Sequence, residues 1–251
     1  MKKIDDVKII STLPGVADMF PIKPMSEYKT NWSVKARDDY LKLDKTKKHN
    51  HVMFCPGIFD LFKVGWYVSM WYDVYVQTKK DEPGFSWRVA SPGMTAHSGV
   101  DNEFRQSRII DTHGDNITKF IPKRESRIDN IVKINTPYHI IAPKDLKFLF
   151  LPMPYPDHYD WESASGLLEP GLSSEINVQL YWNVKDGERF IKAGTPLCQI
   201  IPLTKEKINM TCRDANEKEM KWIQKRPYFN SFSFSSTRNK VKELYNRYFN
   251  D

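Results

Sequence analysis

Strict period-two alternation restricts this chain more than any other feature. From Trp66 to Val76, the residues Trp66, Val68, Met70, Tyr72, Val74 and Val76 fall on one face, and Tyr67, Ser69, Trp71, Asp73 and Tyr75 on the other. Ser174 to Val184 repeats the pattern, with Ile176, Val178, Leu180, Trp182 and Val184 set against Asn177, Gln179, Tyr181 and Asn183. Side chains leave a strand on alternate sides, so extended chain is the conformation that sorts each set onto one face. The second face of the first stretch is also aromatic, which predicts a strand covered on both sides. The predicted core is Val68, Met70, Tyr72, Val74, Ile176, Val178, Leu180, Leu197 and Ile200.

Turn chemistry divides the rest. Asp81-Glu82-Pro83-Gly84 reads as a turn, with Phe85, Trp87 and Val89 as the hairpin partner of the first strand. Asp186-Gly187 reads as a second hairpin, returning through Phe190 and Ile191. Ile131–Asn135, Tyr138–Ala142 and Leu146–Leu151 are short apolar runs separated by Pro137 and by Pro143-Lys144-Asp145, and Leu197–Pro202 is a buried strand after a Gly194-Thr195-Pro196 turn. Pro56 and Gly65 bracket a short helix carrying Ile58, Phe59 and Phe62 at helical spacing. Residues 1–50 read as an irregular arm, broken by Pro14, Pro21 and Pro24, with Tyr28 and Trp32 as anchors. Residues 91–130 are polar and loop-like. Residues 213–226 are compatible with helix, with Met220 and Ile223 inward, and Thr237 is placed to cap a last helix with Val241, Leu244, Tyr245 and Tyr248 on its apolar side.

Composition narrows the class. The chain has 251 residues, 40% of them hydrophobic, enough for one large core. No apolar run approaches the ~20 residues of a membrane span, and the opening MKKIDDVKIIS has no signal-like apolar stretch. Three cysteines, Cys55, Cys198 and Cys212, show no C-x-x-C spacing and fit a reducing compartment. The net charge of +7 is uneven: from Thr204 onward there are 11 Lys and Arg against 6 Asp and Glu. Lys218, Lys221, Lys225, Arg226 and Arg238 are therefore the candidates for weak, sequence-independent contact with nucleic acid.

Candidate chemistry is incomplete throughout. His158 and Asp160 have the H-x-D spacing of an iron facial triad, but no histidine follows them, so an earlier one such as His97 or His139 would have to complete a permuted site. His49 and His51 begin a cupin-like pattern that no glutamate completes. Cys55 precedes a helix start, where a thiol is acidified, yet its neighbours Phe54 and Ile58 predict a buried, inert thiol. P-loop, G-x-S-x-G and G-x-G-x-x-G patterns are absent. No metal or cofactor is expected.

Two resemblances follow from particular residues. CPGIFDLFKVGWYVSMWYDVYV at 55–76, His97-Ser98, Gln106, KINTPYHIIAPKDLKFLFLPMPY at 133–155 and GTPLCQIIPL at 194–203 resemble an uncharacterised protein family of marine tailed phages. That resemblance implies a phage origin and assigns no activity. Residues 138–203 also resemble the second half of the β-clip fold of dUTPases and dCTP deaminases, in the order HIIAP, LKFLFLPMP, GLLEPGLSSEINVQLYWN and RFIKAGTPLCQIIPL. The Gly194 turn and Gln199 match that pattern. LPMP stands where the family has a phosphate-contacting Arg-Ser-Gly, and of Leu168-Glu169 only Glu169 could replace the water-positioning Asp. The likeness implies strand order rather than hydrolysis.

The resulting expectation is a mainly β chain with a single β-clip-like or jelly-roll-like body. Residues 1–50 form the arm, 51–203 the β-rich core and 204–251 a basic helical extension. The leading function is a non-catalytic phage protein of assembly or binding, in the virion or the host cytoplasm. Its partners are further copies of itself or other phage proteins, with no membrane. The alternatives are a nucleotide-processing enzyme of dUTPase-like fold, with Glu169 catalytic, and an iron oxygenase using His158 and Asp160. Gln199, Gln106, His97 and His139 are the cleft candidates.

Overall fold

A computed structural model describes residues 3–82, 84–90, 109–113, 115–122, 124–143, 145–230 and 235–250. Strand outweighs helix, 35% to 28%, which makes the chain mainly β. In chain order the strands are β1 (Lys3–Ser11), β2 (Lys23–Pro24), β3 (Trp66–Ser69), β4 (Val74–Thr78), β5 (Phe85–Val89), β6 (Ile110–Thr112) and β7 (Ile131–Ile141). They continue with β8 (Phe148–Pro152), β9 (Trp161–Ser163), β10 (Gly166–Leu168), β11 (Glu175–Trp182), β12 (Gly187–Ile191), β13 (Pro196–Pro202) and β14 (Lys207–Asp214). The long helices are α1 (Asn31–Lys42), α2 (Glu217–Asn230) and α3 (Ser235–Asn250).

Three sheets share one core. The first runs β14-β1-β7-β11-β9, with β6 also on β7; the second runs β10-β8-β13-β3-β2; the third is β12-β4-β5. Val68, Met70, Val74, Ile176, Val178, Leu180, Leu197 and Ile200 are all buried in one cluster, and Tyr72 packs half-buried against it. The alternation of β11 holds throughout, inward residues buried and outward ones half-exposed.

Several local expectations change in the folded chain. The 66–76 stretch breaks at Met70–Asp73, sending β3 to the second sheet and β4 to the third. The Ala193–Thr195 turn causes the break. Met70 N–H donates to Thr195 O (2.8 Å), Gly194 N–H to Met70 O (2.7 Å), and Ala193 N–H to the Asp73 carboxylate (2.6 Å). Asp186-Gly187 does not close a hairpin. β12 pairs with β4 instead of β11, and the Thr78 hydroxyl donates to Val184 O (2.8 Å) at the crossing.

Pro137 lies inside β7 rather than between two strands. It occupies a bulge against β11, at the point where β7 changes neighbour from β6 to β1, so its missing N–H interrupts no ladder. The arm is not irregular, because β1 is an inner strand, parallel to β14 and antiparallel to β7. The extension likewise opens with β14, an edge strand, and helix begins only at Glu217. There Asn216 and Glu219 form a capping box, each side chain accepting the other's backbone N–H at 2.9 Å.

The short helix at Pro56–Phe59 forms as expected. Gly65 follows it at φ 74°, and a Cβ there would meet Ile200 O at 2.1 Å, so both the conformation and the contact require glycine. Cys55 is exposed, contrary to the apolar character of its neighbours, because Phe54 beside it also faces solvent. On the outer face of the first sheet, Ile10 and Ile141 pack with Trp222 of α2 and Tyr245 of α3.

Candidate functional site

The first and second sheets diverge where β9 and β11 face β8 and β13. The Ser163 hydroxyl ties them by donating to Leu151 O (3.3 Å). Beside that tie opens a cleft of about 340 Å³. Pro152, Met153, Pro196 and Leu197 give it an apolar lining, while Tyr28, Lys29, His158, Trp161 and Asn183 bring rings and polar groups.

One wall is the crossing that leads from β8 to β9. After Pro152 closes β8, Pro154 and Pro156 remove donors and the chain bends, so the crossing forms no ladder of its own. Distant side chains satisfy it instead. The Trp32 indole N–H donates to Tyr155 O (2.9 Å), and the Asn183 carboxamide N–H to Tyr159 O (2.7 Å). Both carboxylate oxygens of Asp157 accept the first amide of α1, Asn31 N–H (3.0 and 2.8 Å). This placement sets an anion against the positive end of a helix dipole. Tyr155 sits at φ 49°, a strained position for a bulky residue, and its ring packs edge-on against Trp32 at 5.7 Å.

The opposite wall is the segment entering α1. The Thr30 and Ser33 side chains cap the helix reciprocally, and Tyr28 stacks on Phe62 at 5.7 Å. Burial pushes the Tyr28 phenol up to about 12, with Asp157 and Tyr67 adding to the effect. It therefore stays protonated and able to donate.

His158 stands between the walls, its ring 3.9 Å from that of Trp161. Burial drives its pKa below the ordinary histidine value, against the opposing pull of Asp160 and Asp157. The imidazole is uncharged at neutral pH. Its Nδ1 is buried and has no hydrogen-bond partner among the described residues.

The three carboxylates around this cleft are all held. Asp157 caps α1, Asp160 meets Arg189 (3.2 Å), and Glu162 meets Arg127. Arg127 also donates to the Asn183 carboxamide oxygen (3.2 Å) and lies over the Tyr181 ring at 4.5 Å. Asp160 is thus drawn to β12 and away from a shared site with His158. Among the described residues, no group of three His, Cys, Asp or Glu side chains could hold a metal ion.

The remaining sequence candidates lie elsewhere. Gln199 is buried in β13, and its amide donates to Leu61 O (3.0 Å) and Val64 O (2.7 Å), fastening the short helical segment. His139 is buried on β7 with a ring nitrogen 3.1 Å from the Ser174 hydroxyl. Glu169 is ion-paired with Lys242 of α3. The His51 Nδ1 accepts Met53 N–H (3.1 Å) and serves as a cap, while His49 is exposed. Lys218, Lys221 and Lys225 are exposed on α2 and Arg238 on α3; Arg226 lies in α2. His97 and Gln106 fall outside the described residues.

Sequence reasoning missed Trp161, Asn183, Asp157 and Arg127. Asp157 and Trp161 fall in or beside the proline- and aromatic-rich stretch 152–160, which is a local signal for them, whereas Asn183 and Arg127 lie far from it in sequence and carry none. No protein-family model matches the chain, and no curated protein matches it.

Proposed function

We propose that this protein works by binding, in assembly or capture of a compact ligand, rather than by turnover, with the His158 cleft as its ligand site. The observation that carries this reading is the engagement of Asp157, Asp160 and Glu162 by fixed cationic or amide partners. A carboxylate held this way is an anchor, poorly suited to taking a proton from a substrate. The uncharged imidazole, the protonated Tyr28 and the apolar lining favour a compact ligand with a flat apolar face and hydrogen-bonding groups, with exposed Lys29 at the edge able to meet an acceptor. The resemblance to marine phage proteins supports placing this role in a phage, in the virion or the infected cell. Glu169 and Gln199, the two groups that would align with a dUTPase-like machinery, are already bonded within the fold.

A thermal-shift screen of compact aromatic and heterocyclic ligands, with deoxynucleotides and magnesium included, tests the reading. The expected result is a stabilising ligand without turnover, whose effect is lost in His158→Leu. Saturation to 100 times Kd stabilises by about 2.7 kcal/mol. Nucleotide turnover that disappears in Glu169→Gln would make the enzyme reading the better one.

A further inference from the structure

We infer that the outer face of α2 binds single-stranded nucleic acid through its phosphates, independently of the cleft. The rotation of α2 is fixed by its apolar side. Trp222 is buried, with the rings of Tyr245, Tyr248 and Phe249 at 5.7, 5.1 and 5.7 Å, and this cluster seats the helix on Ile10 and Ile141. Lys218, Lys221 and Lys225 are exposed, at i, i+3 and i+7, and so form one row. A rise of about 1.5 Å per residue spaces them by about 4.5 and 6 Å along the axis, a spacing that lets a flexible strand lay successive phosphates against them.

Glu217, four residues before Lys221, is the one exposed carboxylate beside the row on α2, and among the described residues it forms no ion pair with it. None of the three lysines makes an ion pair among the described residues. The neighbouring Glu219 is buried and neutralised by Arg213 at 2.6 Å. An aromatic ring interrupts the row, because the Nζ atoms of Lys218 and Lys225 lie 5.3 and 5.9 Å from the centre of half-exposed Tyr248. Trp222 and Phe249 pack against that ring at 5.1 and 5.2 Å, so it steadies the two ammonium groups, and the exposed charges themselves match the phosphates of a flexible single strand. A lipid surface fits less well, since membrane-lying helices carry apolar residues on the face they insert. Here Met220, Trp222 and Ile223 are buried or half-buried. Lysines act as point charges and read no base edges, so the contact is independent of sequence.

Fluorescence anisotropy of the full chain with labelled oligothymidylate is the test. Three phosphate contacts give a salt slope of about −2, hence a loss of roughly 20-fold in affinity between about 50 and 200 mM salt. Replacing Lys218, Lys221 and Lys225 together by Gln should remove about that much slope. Gln matches Lys in helix propensity, so the helix and the melting temperature should be kept. The triple Lys→Arg variant should bind as the wild type does. Equal binding by the Gln variant, binding insensitive to salt, or binding to phosphatidylserine vesicles in place of the oligonucleotide would each overturn the inference.

Discussion

β11 and the 152–160 crossing meet at Asn183, whose backbone N–H donates to Asp160 O (2.8 Å), and are stabilised in different ways. In β11 the ladder to β7 satisfies the backbone and alternate side chains fill the core. In the crossing, individual groups from distant elements supply the bonds: Trp32 to Tyr155, Asn31 to Asp157, Asn183 to Tyr159. The first arrangement is cooperative, so losing one side chain strains many neighbours. The second is a set of separable ties. A binding wall made of such ties can be altered without unfolding the body, which is how low-stability segments come to carry function.

The largest test of this contrast is Leu180→Ala. Leu180 is fully buried in β11, and its truncation should cost about 2–5 kcal/mol in denaturant unfolding. A cost below about half a kcal/mol would show that β11 is not part of a close-packed core. A smaller loss is expected from Trp32→Phe. It keeps a ring but removes the N–H that Tyr155 O accepts, for about 1 kcal/mol. Ligand affinity at the cleft should fall with it, while the unfolding m-value stays unchanged. A drop as large as that of Leu180→Ala would erase the distinction between the two regions.

pH probes the crossing through His158. The His158 pKa is depressed in the folded chain by burial, relative to about 6.5 unfolded. Above that value the ring is neutral in both states and its contribution is fully present. As pH falls towards the lowered folded value, the unfolded chain takes up the proton first and stability declines. His113, lowered by burial and by Lys133, adds a similar slope. The difference between wild type and His158→Gln in urea midpoints from neutral to acid pH isolates the cleft histidine, and identical pH profiles would refute its shift. The smallest effect should come from Tyr155→Gly. Relief of the left-handed strain, about 1–2 kcal/mol, opposes the loss of ring contacts of about 0.5–1.5 kcal/mol, so the net change in melting is slight.

Much of the body was legible beforehand and little of the site. Eight of the nine predicted core residues are buried, with Tyr72 half-buried at the strand break. The hairpin of β4 and β5 and the helix after Pro56 also follow from local signals. The cleft was not legible because its walls come from positions near 30, 155, 160, 183 and 196 that share no motif. Gln199 and Glu169 resemble site groups in the sequence because residue type and spacing do not reveal that a carbonyl or a lysine elsewhere already occupies them.

Periodicity and turn chemistry are properties of adjacent residues, and where they are strong, as in β11 and in β4 and β5, the sequence alone determined which segment extends and which face turns inward; β1 and β14 carried no such signal. Tertiary structure decided the pairings beyond the β4–β5 hairpin. It divided Trp66–Val76 between two sheets, sent β12 to β4, and brought β1 and β14 together across nearly the whole chain. The physical reason is that any extended segment offers the same backbone donors and acceptors to every strand. Partner choice depends on which distant side chains pack best, and that energy is defined only once the chain has closed on itself.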